Sequence, residues 1–175
     1  MARVDGDSRL LRSQRGKAMK ELKDFLAAIG AVYVPEGEPL NLNNRRFTLN
    51  HELVRQLYAK DRLIYAGKLL GRTKREFIPS AILLKELSSL KGLNKIWVNE
   101  SVGWLFACGR DVFEESIQGI EGTFEEGVYF LVMLGVDCLG YGMVENQAGK
   151  KMLRNVFDLG DFLRREKQQR SRVYP

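Results

Sequence analysis

Between Asp137 and Val144 the chain reads "DCLGYGMV", an apolar run broken by Gly140 and Gly142. Glycine weakens a strand, so inside one it marks a bulge, a sharp bend or the close approach of another backbone. Side chains alternate along a strand, so positions two apart leave one face of it bare. A bare strip on one face suits a sheet that has to curve. This stretch therefore predicts a small closing β structure. Its surroundings agree. After Gly92 come "KIWV", a short helix "ESVGWLFACG", a brief strand in "DVFEESI" and a loop near Gly119 and Gly122; then "GVYFLVMLG", "VDCLGYGMVE" and "MLRNVFDLG" follow at regular spacing. Short strands with glycine-marked turns favour a small barrel or sandwich.

The first half is patterned differently. In "SRLLRSQRGKAMKELKDFLAAIG", Leu11, Met19, Leu22, Phe25, Leu26 and Ile29 recur near helical spacing, and Gly30 is the expected stop. "AVYVPEGEPLNLNN" reads as a short strand and then a loop, and "RRFTL" as a strand. Asn50 caps a helix over "HELVRQLYA". "DRLIYAGKLLGRTKREFIPS" predicts two strands turning near Gly71, and "PSAILLKELSSL" a helix opened by Pro79 and Ser80 and ended near Gly92. The fold class expected is α+β in two domains, residues 1–91 and 92–175, with the boundary near Leu90–Asn94.

Charge is divided along the same lines. Residues 1–91 hold 18 Lys and Arg against 10 Asp and Glu, residues 92–145 hold 2 against 9, and residues 146–175 hold 8 against 3. The whole chain carries +6, which suits a polyanionic partner. The longest apolar stretch, Val128 to Val136, is too short to span a bilayer. No basic stretch followed by an apolar run opens the chain, so an unprocessed intracellular protein is expected. Cys108, Cys138 and His51 do not make up a zinc set, and both cysteines read as small buried hydrophobes. His51 reads as a structural or surface histidine.

The sequence resembles a PUA domain from "KIWVNESVGWLFACGRDVFEESI" through "CLGYGMV" to "NVFDLGDFLRRE". With "DRLIYAGKLLGRTKREFIPSAILLKELSSLKGLNKIWV" included, residues 45–166 are similar to the Nip-type factors of large-ribosomal-subunit biogenesis, of archaeal type. That resemblance implies a pre-PUA α/β domain followed by a PUA pseudo-barrel of mixed β structure. It also implies a non-enzymatic role in pre-rRNA processing and assembly. The partners implied are rRNA or pre-rRNA, RNA exosome components and other assembly factors, with no cofactor, metal, membrane or small-molecule substrate. An archaeal member would be cytoplasmic, and eukaryotic relatives are nucleolar.

The residues supply candidates for RNA contact. Lys150, Lys151 and Arg154 follow Gly149 in what reads as a polar hairpin loop, where cations reach phosphates. Arg110 lies in a glycine turn after the short helix. Arg164 and Arg165 extend the same surface, or else complement a helix C-terminus. Tyr141, Trp97 and Trp104 fall in apolar patterns and read as packing residues. Catalysis has little support: no GxSxG, HExxH, Walker or dinucleotide pattern occurs, and Glu125 and Glu126 are adjacent, hence divergent on a strand. Two alternatives stand beside the RNA-binding factor. One is an accessory subunit or remnant of an RNA-modification enzyme for pseudouridylation or methylation. The other is a protein-binding scaffold.

Overall fold

In the computed structural model, the described residues are 20–42, 44–50, 66–73, 76–161 and 164. The chain divides into two compact units, one of residues 1–27 and 31–83, the other of residues 28–30 and 84–175. The expected helix over 51–59, with His51, lies outside the described residues, as do residues 8–19 of the first expected helix.

In the first unit, a helix (α1, residues 20–28) precedes four antiparallel strands in sequential order. These are β1 (Glu38–Leu42), β2 (Arg45–Leu49), β3 (Lys68–Thr73) and β4 (Phe77–Pro79). Leu22, Phe25 and Leu26 recur at helical spacing and are buried with Phe47, Leu49, Leu70 and Phe77. The Phe25 and Phe77 rings lie 5.4 Å apart. Arg46, itself buried, donates to Glu21 at 2.6 Å and to Asn41, and Thr73 Oγ1 donates to the same Glu21 carboxylate at 2.5 Å. A buried guanidinium is tolerated when a carboxylate and a neutral acceptor pair with its terminal nitrogens, here with the buried Nε left without a partner among the described residues.

Two local readings are corrected in this unit. Residues 31–35 are irregular, and the strand begins only at Glu38, after the Pro/Gly stretch. Gly71 is not the turn: it lies inside β3, opposite Pro79, where a Cβ would meet the Ile78 carbonyl at 2.4 Å. The glycine is needed there for close approach. Ser80 caps the next helix, α2 (Ala81–Ser88), its Oγ accepting from the Leu83 N–H at 3.1 Å and donating to the Leu69 carbonyl. Pro79 closes β4 and does not open the helix.

In the second unit, six strands pair in the order β6-β10-β9-β8-β5-β7. They are β5 (Lys95–Trp97), β6 (Val112–Phe113), β7 (Gly119–Glu121), β8 (Tyr129–Leu134), β9 (Asp137–Gln147) and β10 (Lys150–Asp158). A helix, α3 (Glu100–Ala107), follows β5, its N-terminus capped by Asn99, which accepts from the Val102 N–H. The β5–β8 pair is parallel and the others are antiparallel, so the sheet is mixed. β7 is the strand missing from the sequence reading, which placed a loop at Gly119.

This sheet must curl. Its outermost strands, β6 and β7, are joined only by residues 114–118, three of which form a 3-10 turn (Glu114–Ser116). Such a link reaches about 17 Å at most. A flat six-stranded sheet would set its edges about 24 Å apart. Closure brings Ile96, Val98, Phe106, Val112, Phe124, Phe130, Val132, Val144 and Leu153 into one core.

The glycines of β9 sit where the curvature is made. Val132 pairs with Gly140 and Met133 with Cys138, which leaves Leu139 as a bulge. Across the other edge, Asn155 pairs with Gly142 and Phe157 with Tyr141, which leaves Val156 as a second bulge. A Cβ on Gly140 would lie 2.1 Å from the Phe157 carbonyl oxygen, and one on Gly142 would lie 2.5 Å from that of Arg154. β10 thus passes too close to β9 for any side chain between them.

Candidate nucleic-acid interface

The cations after the glycine strand are not in a loop. The β9–β10 connection is the two-residue turn Ala148-Gly149, with φ of 52° and 80°. Two positive φ values give a turn whose twist matches the flanking strands, so pairing runs right up to it. Lys150, Lys151 and Arg154 are therefore strand residues of β10, and alternation separates them. Lys150 and Arg154 share the outer face with Met152. Lys151 shares the inner face with the fully buried Leu153, and its Nζ donates to the Phe124 carbonyl at 3.0 Å.

On the outer face, the exposed Arg154 Nε meets Glu145 Oε1 at 2.5 Å. Those residues are diagonal neighbours, since Arg154 pairs with Met143 and Glu145 with Met152. An ion pair this exposed holds its cation weakly, so a phosphate can compete for the guanidinium. Among the described residues, the Lys150 side chain has no hydrogen-bond or ion-pair partner. Nor does the Arg110 side chain.

Arg110 follows α3 in the turn made by Cys108 and Gly109, and its N–H donates to the Leu105 carbonyl at 3.1 Å. The turn is fastened to β10 by Asn155. Its N–H donates to Asp111 Oδ1 at 2.8 Å, and its Nδ2 donates to the carbonyls of Phe106 at 2.8 Å and Arg110 at 3.4 Å. Asn155 thus holds Arg110 against the strand position next to Arg154. Sequence reading missed Asn155, because a lone polar residue in a strand pattern carries no distinguishing signal.

Arg164 has a different duty. Its two terminal nitrogens meet the two oxygens of Asp158 at 2.9 and 2.7 Å, and Nη1 also donates to the Ala107 carbonyl at the end of α3. Asp158 is buried, so this fork neutralises an interior carboxylate and completes a helix C-terminus. The hydrogen bond to Asp158 raises the Arg164 pKa further above its ordinary value. Of the two roles weighed for Arg164, the geometry supplies the helix-end one. Arg165 lies outside the described residues.

The aromatic residues divide. Tyr141 is buried, its ring 6.2 Å from that of Tyr129 and 6.1 Å from that of Phe157. Trp97 is partly covered and pairs across the sheet with Gly119. Trp104, expected in the core, is 71% exposed. On an eight-residue helix whose inward face is Gly103 and Phe106, position 104 points outward. The helical spacing alone would have shown it. Cys108 is likewise exposed, against expectation, while Cys138 is buried and burial pushes its thiol up to about 11. Neither is in a disulfide.

Glu125 and Glu126 are exposed in the bend before β8 and not on a strand. Among the described residues, no cluster of His, Cys, Asp and Glu is placed to hold a metal. No helix among them is long and apolar enough to cross a membrane.

The curled sheet, the helix after its first strand and the paired β9–β10 hairpin together coincide with a known family. Residues 94–167 match the family model described as the UPF0113 PUA domain. This segment has a PUA-type fold. The chain is also similar to a UPF0113 protein of Archaeoglobus fulgidus, 29% identical over 114 residues, which are 59% of this chain and 63% of that protein. The match thus spans less than two thirds of the relative.

Proposed function

We propose that this protein is a non-enzymatic RNA-binding factor of large-ribosomal-subunit assembly. Its PUA domain holds rRNA or pre-rRNA by the phosphate backbone. The observation that carries this reading is the set of exposed cations Lys150 and Arg154 on β10 and Arg110 in the turn that Asn155 ties to that strand. Cations presented from a rigid strand and a tethered turn are pre-organised for phosphate, and such contacts carry affinity with little sequence preference. The resemblance to Nip-type factors supplies the ribosomal context, with exosome components and other assembly factors as the protein partners.

Residues 111–126 support a secondary role in protein contact. Asp111, Glu114, Glu115, Glu121, Glu125 and Glu126 are all exposed there, with no Lys or Arg among them.

The test is titration of the full chain with single-stranded RNA at low and moderate salt. Saturable binding that weakens steeply with salt is expected. A protein-only scaffold would bind no RNA even at low salt. Crosslinking in cells, followed by sequencing of the attached RNA, should return large-subunit rRNA; another RNA class would overturn the ribosomal assignment.

A further inference from the structure

We propose that Glu145 is a built-in competitor for the phosphate site: it holds the Arg154 guanidinium in the free protein and gives it up when RNA binds. The proposal rests on the RNA-binding reading above and concerns the regulation of that same site. Glu145 pairs with Met152, and Lys150 and Arg154 stand two residues to either side of Met152 on β10. Side chains two apart share a face, so a carboxylate is rooted beside both cations. Contact shows which of them it takes, since its Oε1 lies 2.5 Å from Arg154 Nε. Asp111, tied to the Asn155 N–H, also carries a charge close by. Among the described residues, though, Glu145 is the carboxylate that pairs with Arg154.

A phosphate and a carboxylate engage a guanidinium alike, through charged oxygens that accept from its N–H groups. Only one of them can hold Arg154 Nε at a time. The carboxylate is fixed to the neighbouring strand and is present in every copy of the free protein, so RNA binding includes its displacement. The pair is half in solvent, with side-chain exposures of 47% and 28%, and a pair of this kind shifts an equilibrium by a factor of roughly 1.5 to 5. Once displaced, the carboxylate still faces the arriving phosphate and repels it. Both effects act in one direction: Glu145 weakens RNA binding, and loss of its charge strengthens it.

The probe is a labelled single-stranded oligouridine titrated with the full chain at low salt. Glu145→Gln, which keeps the size of the side chain and removes its charge, should bind about 3-fold more tightly than wild type. In an Arg154→Ala background the same substitution should give much less gain, since the group being competed for is gone. The Arg154 Nε–H resonance should shift when oligouridine binds the wild type, and should shift in Glu145→Gln without RNA. Urea midpoints check folding, and that of Glu145→Gln should stay close to wild type, because an exposed pair contributes little to stability.

Wild-type or weaker affinity in Glu145→Gln overturns the competitor role and leaves RNA binding intact; the pair is then only a tie between β9 and β10. An equal gain in the Arg154→Ala background also overturns it, because the carboxylate would be acting through overall charge and not through Arg154. An Arg154 Nε–H signal unmoved by saturating oligouridine has the same consequence. No saturable binding by wild type or Glu145→Gln overturns the RNA-binding reading, and this proposal with it.

Discussion

Replacing Gly140 by alanine puts the curvature of the PUA sheet to a quantitative test. The new Cβ would lie 2.1 Å from the Phe157 carbonyl oxygen, 2.8 Å from the Asp158 Cα and 3.0 Å from the Phe106 ring. Two of these atoms are backbone, so relief requires β10 to move away from β9. The φ of +155° adds about 1–2 kcal/mol for a residue with a Cβ. Overpacking adds about 1–3 kcal/mol, and each ladder hydrogen bond opened costs about 1 kcal/mol more. The expected loss is about 3–6 kcal/mol. Gly135, in the β8–β9 turn, is the control. Its φ is +59° and nothing lies within 4 Å of a Cβ there, so alanine should cost only about 1 kcal/mol. The assay is urea unfolding followed by tryptophan fluorescence. Both tryptophans, Trp97 and Trp104, belong to the second unit, so the signal reports that unit. With a slope of about 1 kcal/mol per molar urea, the Gly140→Ala midpoint should fall by at least about 3 M. If Gly140→Ala were no less stable than Gly135→Ala, the close approach of β10 at this position would be refuted.

Further outcomes follow from individual contacts. Arg164→Ala should destabilise the second unit by about 2 kcal/mol, because it strands the buried Asp158 carboxylate; thermal unfolding reads this, and an unchanged midpoint would remove Arg164 from its structural role. A thiol reagent at neutral pH should modify Cys108 quickly and Cys138 only on unfolding, so two fast thiols would contradict the burial of Cys138. Burial raises the Cys138 thiol from 9.0 to about 11. Its neutral form is therefore favoured in the folded state, and the associated stability, complete below pH 9, is lost as pH rises toward 11. Urea midpoints compared with those of Cys138→Ala over that range should show the extra alkaline loss in the wild type alone. Lys151→Ala should change RNA affinity less than Lys150→Ala, since only the Lys151 ammonium is tied to a carbonyl; equal effects in filter binding would count against that assignment.

The features legible in the sequence were those that follow from local stereochemistry. Gly140 and Gly142 announced a curving sheet because only close backbone approach explains glycine inside an apolar strand. Ser80 announced a helix because its hydroxyl can satisfy an orphan N–H. What escaped depended on partners distant in sequence. The polarity of "ENQAGKKMLRN" reads as a loop, yet Ala148-Gly149 reverses the chain in two residues and both flanks pair. The face that each cation occupies then follows from register, which composition does not contain. Gly119–Glu121 joins the sheet only because Lys95–Trp97 lies beside it, and nothing local marks it as a strand. Trp104 was misread for another reason. Its hydrophobicity argues for burial, whereas its helical angle relative to Gly103 and Phe106 turns it outward.

On the proposed function, Arg110, Lys150 and Arg154 meet RNA phosphates. The most direct measurement is the slope of log Kobs against log salt concentration for single-stranded RNA. It should be taken on the wild type and on a folded variant carrying Arg110→Ala, Lys150→Ala and Arg154→Ala. Each phosphate contact contributes about 0.7 to that slope, so removing three should flatten it by about 2. A folded triple variant that keeps the wild-type slope would show that the phosphates are met elsewhere, and would contradict the claim.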